Sequence, residues 1–269
     1  MGKVCIYKIV LAIILVGVFN PPSSFAQYNI LGKPGLVKIP KPTLSADRDY
    51  FKLQLAYLPE RYSINNFMNK KDDELFYSFQ FLPVSWLSVN FVLTRPLNIP
   101  RIGIGDRHLD LQFFPLRQEK HGINLAVIFS PMSGSSFIDH NSLIISRIIN
   151  LGGSVNVEPI IGYGLTSVFR KPLENMDYPI GVRTWIPKTE FGNNYLNGVF
   201  GGVQLNIKEK FFLSGEYDSQ YLNIAASAMI AKRISLQLAY IDMNQLSGYV
   251  SYRWFLDNPR SKALKIYEN

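Results

Sequence analysis

The residues of this chain that could do chemistry fall into a few small groups. His140 and Ser142 stand two apart, close enough for an imidazole to activate a hydroxyl. Such a pair needs a third, orienting carboxylate. Asp139 is adjacent but points the other way in an extended chain, so chance polar loop residues are the better reading. His108 and Asp110 share one face of a strand and offer two metal ligands, where protein sites take three or four. Glu216 and Asp218 also share a face, and paired carboxylates can do acid–base work. Ile102-Gly103-Ile104-Gly105 has no helix after it, so it is no dinucleotide loop. The chain contains no phosphate-binding P-loop, no Cys–His nucleophile and no Gly-x-Ser-x-Gly elbow. No catalytic residue, cofactor or metal is therefore assigned.

The elements that would position these groups follow from the first residues onward. Lys3 and Lys8 precede the apolar run Ile9 to Phe19, and Pro21, Pro22, Ser23 and Ser24 break it. Ser24-Phe25-Ala26 fits a small-x-small cleavage pattern, so residues 1–26 read as a signal peptide with the mature chain starting at Gln27. The run is short for a helical membrane anchor. The single cysteine, Cys5, leaves with the signal, which excludes a disulfide framework or a Cys-rich zinc site. With 47% apolar, 13% aromatic and 18% charged residues, the chain is also no disordered polymer.

After the signal the dominant pattern has period two. Phe51, Leu53, Leu55 and Tyr57 alternate with Lys52, Gln54 and Ala56, and Leu87, Val89, Phe91 and Leu93 alternate with Ser88, Asn90 and Val92. The theme continues to Leu246, Val250, Tyr252 and Trp254. Period two means strands with one apolar and one polar face. Three features turn the apolar face to lipid. Several segments have the length of tilted membrane strands. The polar faces carry Gly, Ser, Asn and Gln rather than Lys and Glu. Aromatics gather at strand ends, among them Tyr57, Phe81, Trp86, Phe113, Phe114, Tyr163, Trp185, Tyr217, Tyr240, Trp254 and Phe255, where girdles belong.

A sheet in lipid must close on itself, and closure favours an even strand number. The expected fold is all-β, a transmembrane antiparallel β-barrel of outer-membrane type with 12–14 strands. The barrel should run over 50–256. Residues 27–49 would be a periplasmic segment or a first strand, and 257–269 a C-terminal tail. Ser142–Asn150 is apolar on both faces and decides part of the count. Beginning at Tyr50 puts the long connections 59–74, 131–141 and 165–178 on one side.

Such a barrel would turn Lys52, Asp110, Glu158, Arg183, Glu216, Asp218 and Arg253 into its lumen. Mixed charges there read first as bracing and solvating groups. They could also form a polar track for sugar chains, with Trp86, Trp185 and Tyr249 as stacking platforms. The net charge of +8 is spread over turns such as Lys70-Lys71, Lys208 with Lys210, and Lys232-Arg233. Solvated tips or anionic headgroups account for it. No continuous basic stripe suggests nucleic acid.

Three stretches carry a resemblance. Asn29 to Pro40, reading Asn-Ile-Leu-Gly-Lys-Pro-Gly-Leu-Val-Lys-Ile-Pro, resembles the opening Gly-x-x-Gly-Leu-x-x-x-Pro motif of the YjbH-like outer-membrane family. Gly105-Asp106-Arg107 is similar to its Gly-Asp-Arg segment, and Gly215-Glu216-Tyr217-Asp218 with Asn223 to its Glu-Tyr-Asp…Asn stretch. Lys41-Pro42 departs from the small residues usual after the motif. The resemblance implies a non-enzymatic barrel of a Gram-negative cell envelope that supports exopolysaccharide production or export. Its partners would be outer-membrane lipids, polysaccharide and envelope export proteins. A structural barrel or passive pore without a polysaccharide link, or a lipid-modifying barrel enzyme, are the alternatives.

Overall fold

The computed structural model describes residues 27–42, 50–64, 71–99, 104–131, 139–170, 184–191, 195–231 and 233–255. Residues 1–26, expected to be a signal peptide, residues 43–49, Arg183 and the expected tail 257–269 lie outside the described residues.

The wall is built from β1 (Tyr50–Leu58), β2 (Glu74–Val84), β3 (Leu87–Pro96), β4 (Arg107–Leu116), β5 (Asn124–Phe129), β6 (Ser142–Ser146), β7 (Ile149–Gly152) and β8 (Val155–Gly164). It continues, beyond a small hairpin of β9 (Ser167–Arg170) and β10 (Thr184–Pro187), with β11 (Gly198–Ile207), β12 (Phe211–Tyr217), β13 (Leu222–Ile230), β14 (Ile234–Ile241) and β15 (Gln245–Phe255). Consecutive wall strands pair antiparallel, β8 pairs with β11, and β15 returns to β1 through Lys52↔Arg253 and Gln54↔Ser251. The sheet therefore closes on itself. β6 and β7 pair with successive parts of β8 and together fill one place in the wall. The result is a closed barrel of 12 strands. Ile180, Val182 and Ile186 alternate with Gly181 and Arg183 in the sequence, yet among the described residues this stretch contributes no wall strand. Thr184–Pro187 pairs with β9 in the hairpin at the barrel's end.

The alternation of side chains follows the pleat. Leu53, Phe91, Val203, Leu213, Leu238 and Leu246 point outward and are exposed, while Gln54, Asn90, Gln204, Ser214 and Gln237 point inward and are buried. Exposed apolar residues over a whole closed wall fit hydrocarbon, not water. Phe81, Trp86 and Trp254 stand outward near one rim, and Tyr163, Tyr217 and Tyr240 near the other. Phe114 is an exception to the expected girdle, because it is buried.

Connections sort by end. Tyr50, Phe255 and the short turns 85–86, 153–154, 208–210 and 231–233 share one rim. The strand ends that the longer connections join, Leu58 and Glu74, Pro96 and Arg107, Phe129 and Ser142, and Gly164 and Gly198, share the opposite rim. The interior is layered in the same sense. Leu58, Phe76, Val92, Ile128, Ile144, Phe200 and Ile241 make an apolar layer toward the long connections. Gln80, Ser88, Gln112, Glu158, Ser235 and Arg253 make a polar layer toward the short turns.

Candidate functional site: a filled lumen held by buried charges

Residues 27–42 do not lie outside the wall or form a strand of it, as the sequence suggested. They fold into a compact plug in the lumen, and each of them is buried. A short segment with three lysines and three prolines can bury itself only if every polar group finds a partner. The plug supplies many of these partners itself. Asn29 accepts from the Lys33 N–H at 3.0 Å and donates to the Lys38 carbonyl at 2.9 Å. The Ile30 N–H donates to Val37 O at 2.8 Å, and Lys41 N–H to Pro34 O at 2.8 Å. Gly35 is needed because a Cβ there would stand 2.3 Å from the Ile39 carbonyl oxygen. Gly32 takes φ +78°, and a Cβ there would meet Ser78 Oγ at 2.0 Å, so a side chain is excluded by backbone and space alike.

The wall completes the set. Each plug lysine reaches one carboxylate: Lys33 to Asp110 at 2.6 Å, Lys38 to Asp218 at 2.6 Å and Lys41 to Glu158 at 2.9 Å. Glu216 takes three successive plug amides, those of Val37, Lys38 and Ile39, at 2.8, 2.7 and 3.3 Å. Asn223 steadies Glu216 at 3.0 Å and Asp218 at 3.2 Å. At the barrel seam Lys52 donates to the Gly32 carbonyl and stands 3.5 Å from the Tyr28 ring centroid, with Arg253 at 5.4 Å from the same ring. The Tyr28 N–H donates to Tyr249 Oη at 3.1 Å. Breaking one partner of a buried ion pair costs about 3–5 kcal/mol, so several such latches hold the plug firmly.

Above Lys33 lies a second arrangement. Asp110 Oδ1 is 2.6 Å from His108 Nε2 and accepts from Ser130 Oγ at 2.7 Å. His108 Nδ1 is 3.2 Å from Asp139. Lys33 Nζ also reaches His140 Nε2 at 2.9 Å. The Tyr195 ring abuts His140 edge-on at 5.1 Å, and its hydroxyl donates to the Lys38 carbonyl at 2.8 Å. Lys188 closes this region from the loop side by donating to the carbonyls of Tyr195 and Leu196 at 3.1 and 3.0 Å. Burial pulls its ammonium down to about 8, with Asp139 opposing.

Of the residues assigned to the polar face, Lys52, Asp110, Glu158, Glu216, Asp218 and Arg253 all lie buried inside the barrel. They meet the plug rather than a water-filled track. The proposed stacking platforms divide. Trp86 and Trp185 are 54% and 57% exposed on the outer side, because their positions fall on the apolar face or in the loop hairpin. Tyr249 alone of the three faces inward. His140 and Ser142 are not paired: His140 turns to Lys33, and Ser142 Oγ has no hydrogen-bond partner among the described residues. Sequence reasoning missed Lys33, Lys38 and Lys41, and it missed His140 as a neighbour of Asp110. One signal was available. The acidic lumen residues Asp110, Glu158, Glu216 and Asp218 need more cations than the wall itself offers.

Wall and filling together define a transmembrane β-barrel of outer-membrane type, closed around its own N-terminal segment. No protein-family model matches the chain, and no characterised protein matches it. Among solved structures, the β-domain of the Bordetella autotransporter BrkA is similar at 12% identity, over 77% of this chain and 99% of that one, with a TM-score of 0.29.

Proposed function

We propose that the chain is a non-enzymatic outer-membrane barrel that supports production or export of surface polysaccharide in a Gram-negative bacterium. The long connections would face outward and both chain ends the periplasm. The single observation that carries this reading against a passive pore is the filled lumen. Residues 27–42 occupy it on three lysine–carboxylate pairs and the Glu216 fork, and a pore that conducts at rest needs an open path. The YjbH-like resemblance gains physical content from the same contacts. The motif stretch Asn29 to Pro40 is the core of the plug, and Glu216 and Asp218 of the third stretch grip it, steadied by Asn223. The Asp106 N–H of the second stretch donates to Thr94 Oγ1 at 2.7 Å.

The test is a deletion strain complemented with the wild-type gene, with matrix polysaccharide measured beside solute flux through the purified protein in liposomes. The expected result is loss of polysaccharide on deletion, its return on complementation, and no resting flux. Unchanged polysaccharide with steady flux would favour the pore. A lipid hydrolase activity that disappears in His140→Ala would favour the enzyme.

A further inference from the structure

We infer that His108, Asp110 and His140 form a divalent transition-metal site for which Lys33 is the resident substitute, so that metal and plug compete for one cradle. The three side chains come from β4 and from the start of the segment leading into β6. One ligand atom of each lies within 4.8 Å of the others, and all three residues are buried. Two imidazoles and a carboxylate are the donor set that suits zinc, cobalt or nickel, with a further position left open.

The cradle is already shaped for a positive charge. The Lys33 ammonium sits 2.6 Å from Asp110 Oδ2 and 2.9 Å from His140 Nε2, between the two groups that would ligate. An ammonium only donates, so the His140 Nε2 lone pair faces it, and that lone pair is what a metal takes. The supporting shell is present as well. Asp139 lies 3.2 Å from His108 Nδ1, the carboxylate contact that orients a ligating histidine. His108 Nε2 now donates to Asp110 Oδ1 at 2.6 Å, and that proton is released to solvent when a metal takes the nitrogen. Ser130 holds the second oxygen of Asp110 at 2.7 Å. Contraction of the Asp110 and His140 distances by less than an ångström, to roughly 2.0–2.2 Å, would replace ammonium by metal at these two ligands.

The consequence is thermodynamic coupling. A metal ion that takes Asp110 and His140 displaces one of the plug's three lysine latches, and seating the plug weakens the metal by the same factor. The cluster lies toward the long connections, with Asp139 on that side, so the ion would arrive from the loop end. This inference is independent of what the barrel exports.

Cobalt(II) is the probe, because its visible absorption reports nitrogen and oxygen ligation directly. It is added to the full chain in detergent micelles, with heat-modifiable gel mobility confirming the folded wall. Lys33→Met is expected to bind one ion per chain at least about tenfold more tightly than the wild type. Adding His108→Ala or His140→Ala to that variant is expected to abolish binding. In an otherwise wild-type chain carrying Cys5→Ala and Leu31→Cys, saturating cobalt is expected to raise maleimide labelling of the plug, and a chelator to reverse it. A folded Lys33→Met that binds no cobalt, or binding that survives loss of His140, would overturn the proposal. If Lys33→Met does not fold, labelling at Leu31→Cys decides, and labelling that ignores cobalt overturns it.

Discussion

The Glu216 carboxylate, on β12, accepts the Val37 amide of the plug at 2.8 Å across 179 residues of sequence. The amides of Lys38 and Ile39 share the same group. Replacing it with a methyl leaves three buried donors without an acceptor, at about 1–3 kcal/mol each. Glu216→Ala is therefore expected to unseat the plug while the wall stays folded. Cysteine labelling at Leu31→Cys should rise steeply, and heat-modifiable mobility should be unchanged. Glu216→Gln keeps one acceptor oxygen and should fall between the two. A Glu216→Ala protein labelled as slowly as its parent would show that the fork does not hold the segment.

Gly32 and Gly215 make a matched pair for a second prediction. Gly32→Ala forces a side chain to positive φ and into Ser78 Oγ, whereas a Cβ at Gly215 meets nothing within 4 Å. The first change should lower stability by more than about 1 kcal/mol and expose the plug to protease, through strain and the clash together. The second should leave both properties within about 0.5 kcal/mol of the parent. Denaturant titration with a protease assay reads the difference.

The outer face is tested at Leu238, which is 71% exposed in the middle of β14. On a water-facing wall, Leu238→Arg would be neutral. On a lipid-facing wall it costs about 2–4 kcal/mol near the bilayer midplane. We expect the latter, read as a lower folded fraction in lipid vesicles at a given urea concentration, with Leu238→Ala far milder.

Asp72, in the connection between β1 and β2, supplies a pH dependence. Burial alone would raise its pKa, but hydrogen bonds from the backbone and side chain of Asn98 and from the Asp73 amide outweigh it and hold the carboxyl below its ordinary value of 3.8. The folded state thus binds protons less readily than the unfolded chain. Its contribution is complete above that ordinary value and is lost as pH falls through the lowered one. Asp72→Asn is expected to cost stability at pH 7 and to flatten the acid limb of a melting-temperature profile measured below pH 4.

The wall was legible because its cause is local. In β1, Phe51, Leu53 and Leu55 declare their face against Lys52 and Gln54 without reference to any other strand, and the lengths of β3 and β8 fit a bilayer. The plug was not legible because its cause is distant. Lys33, Lys38 and Lys41 look like solvated residues until Asp110, Asp218 and Glu158 are brought to them. His140 joins His108 only when the connection before β6 folds back over β4. Trp86 and Trp185 misled for a related reason. An aromatic at a strand end serves a lipid rim or a sugar equally well, and only the pleat's direction separates the two.

The seam between β1 and β15 places Lys52 directly opposite Arg253, both aimed inward, with the Tyr28 ring against them. Two like charges are poor zipping partners in a dry interior. An aromatic face and a backbone oxygen arriving from 27–42 help make their meeting tolerable, beside Gln54 and Met229 of the wall. The join that closes the hoop is thus also a lock on its contents: a wall emptied of 27–42 would hold two facing cations across its own seam.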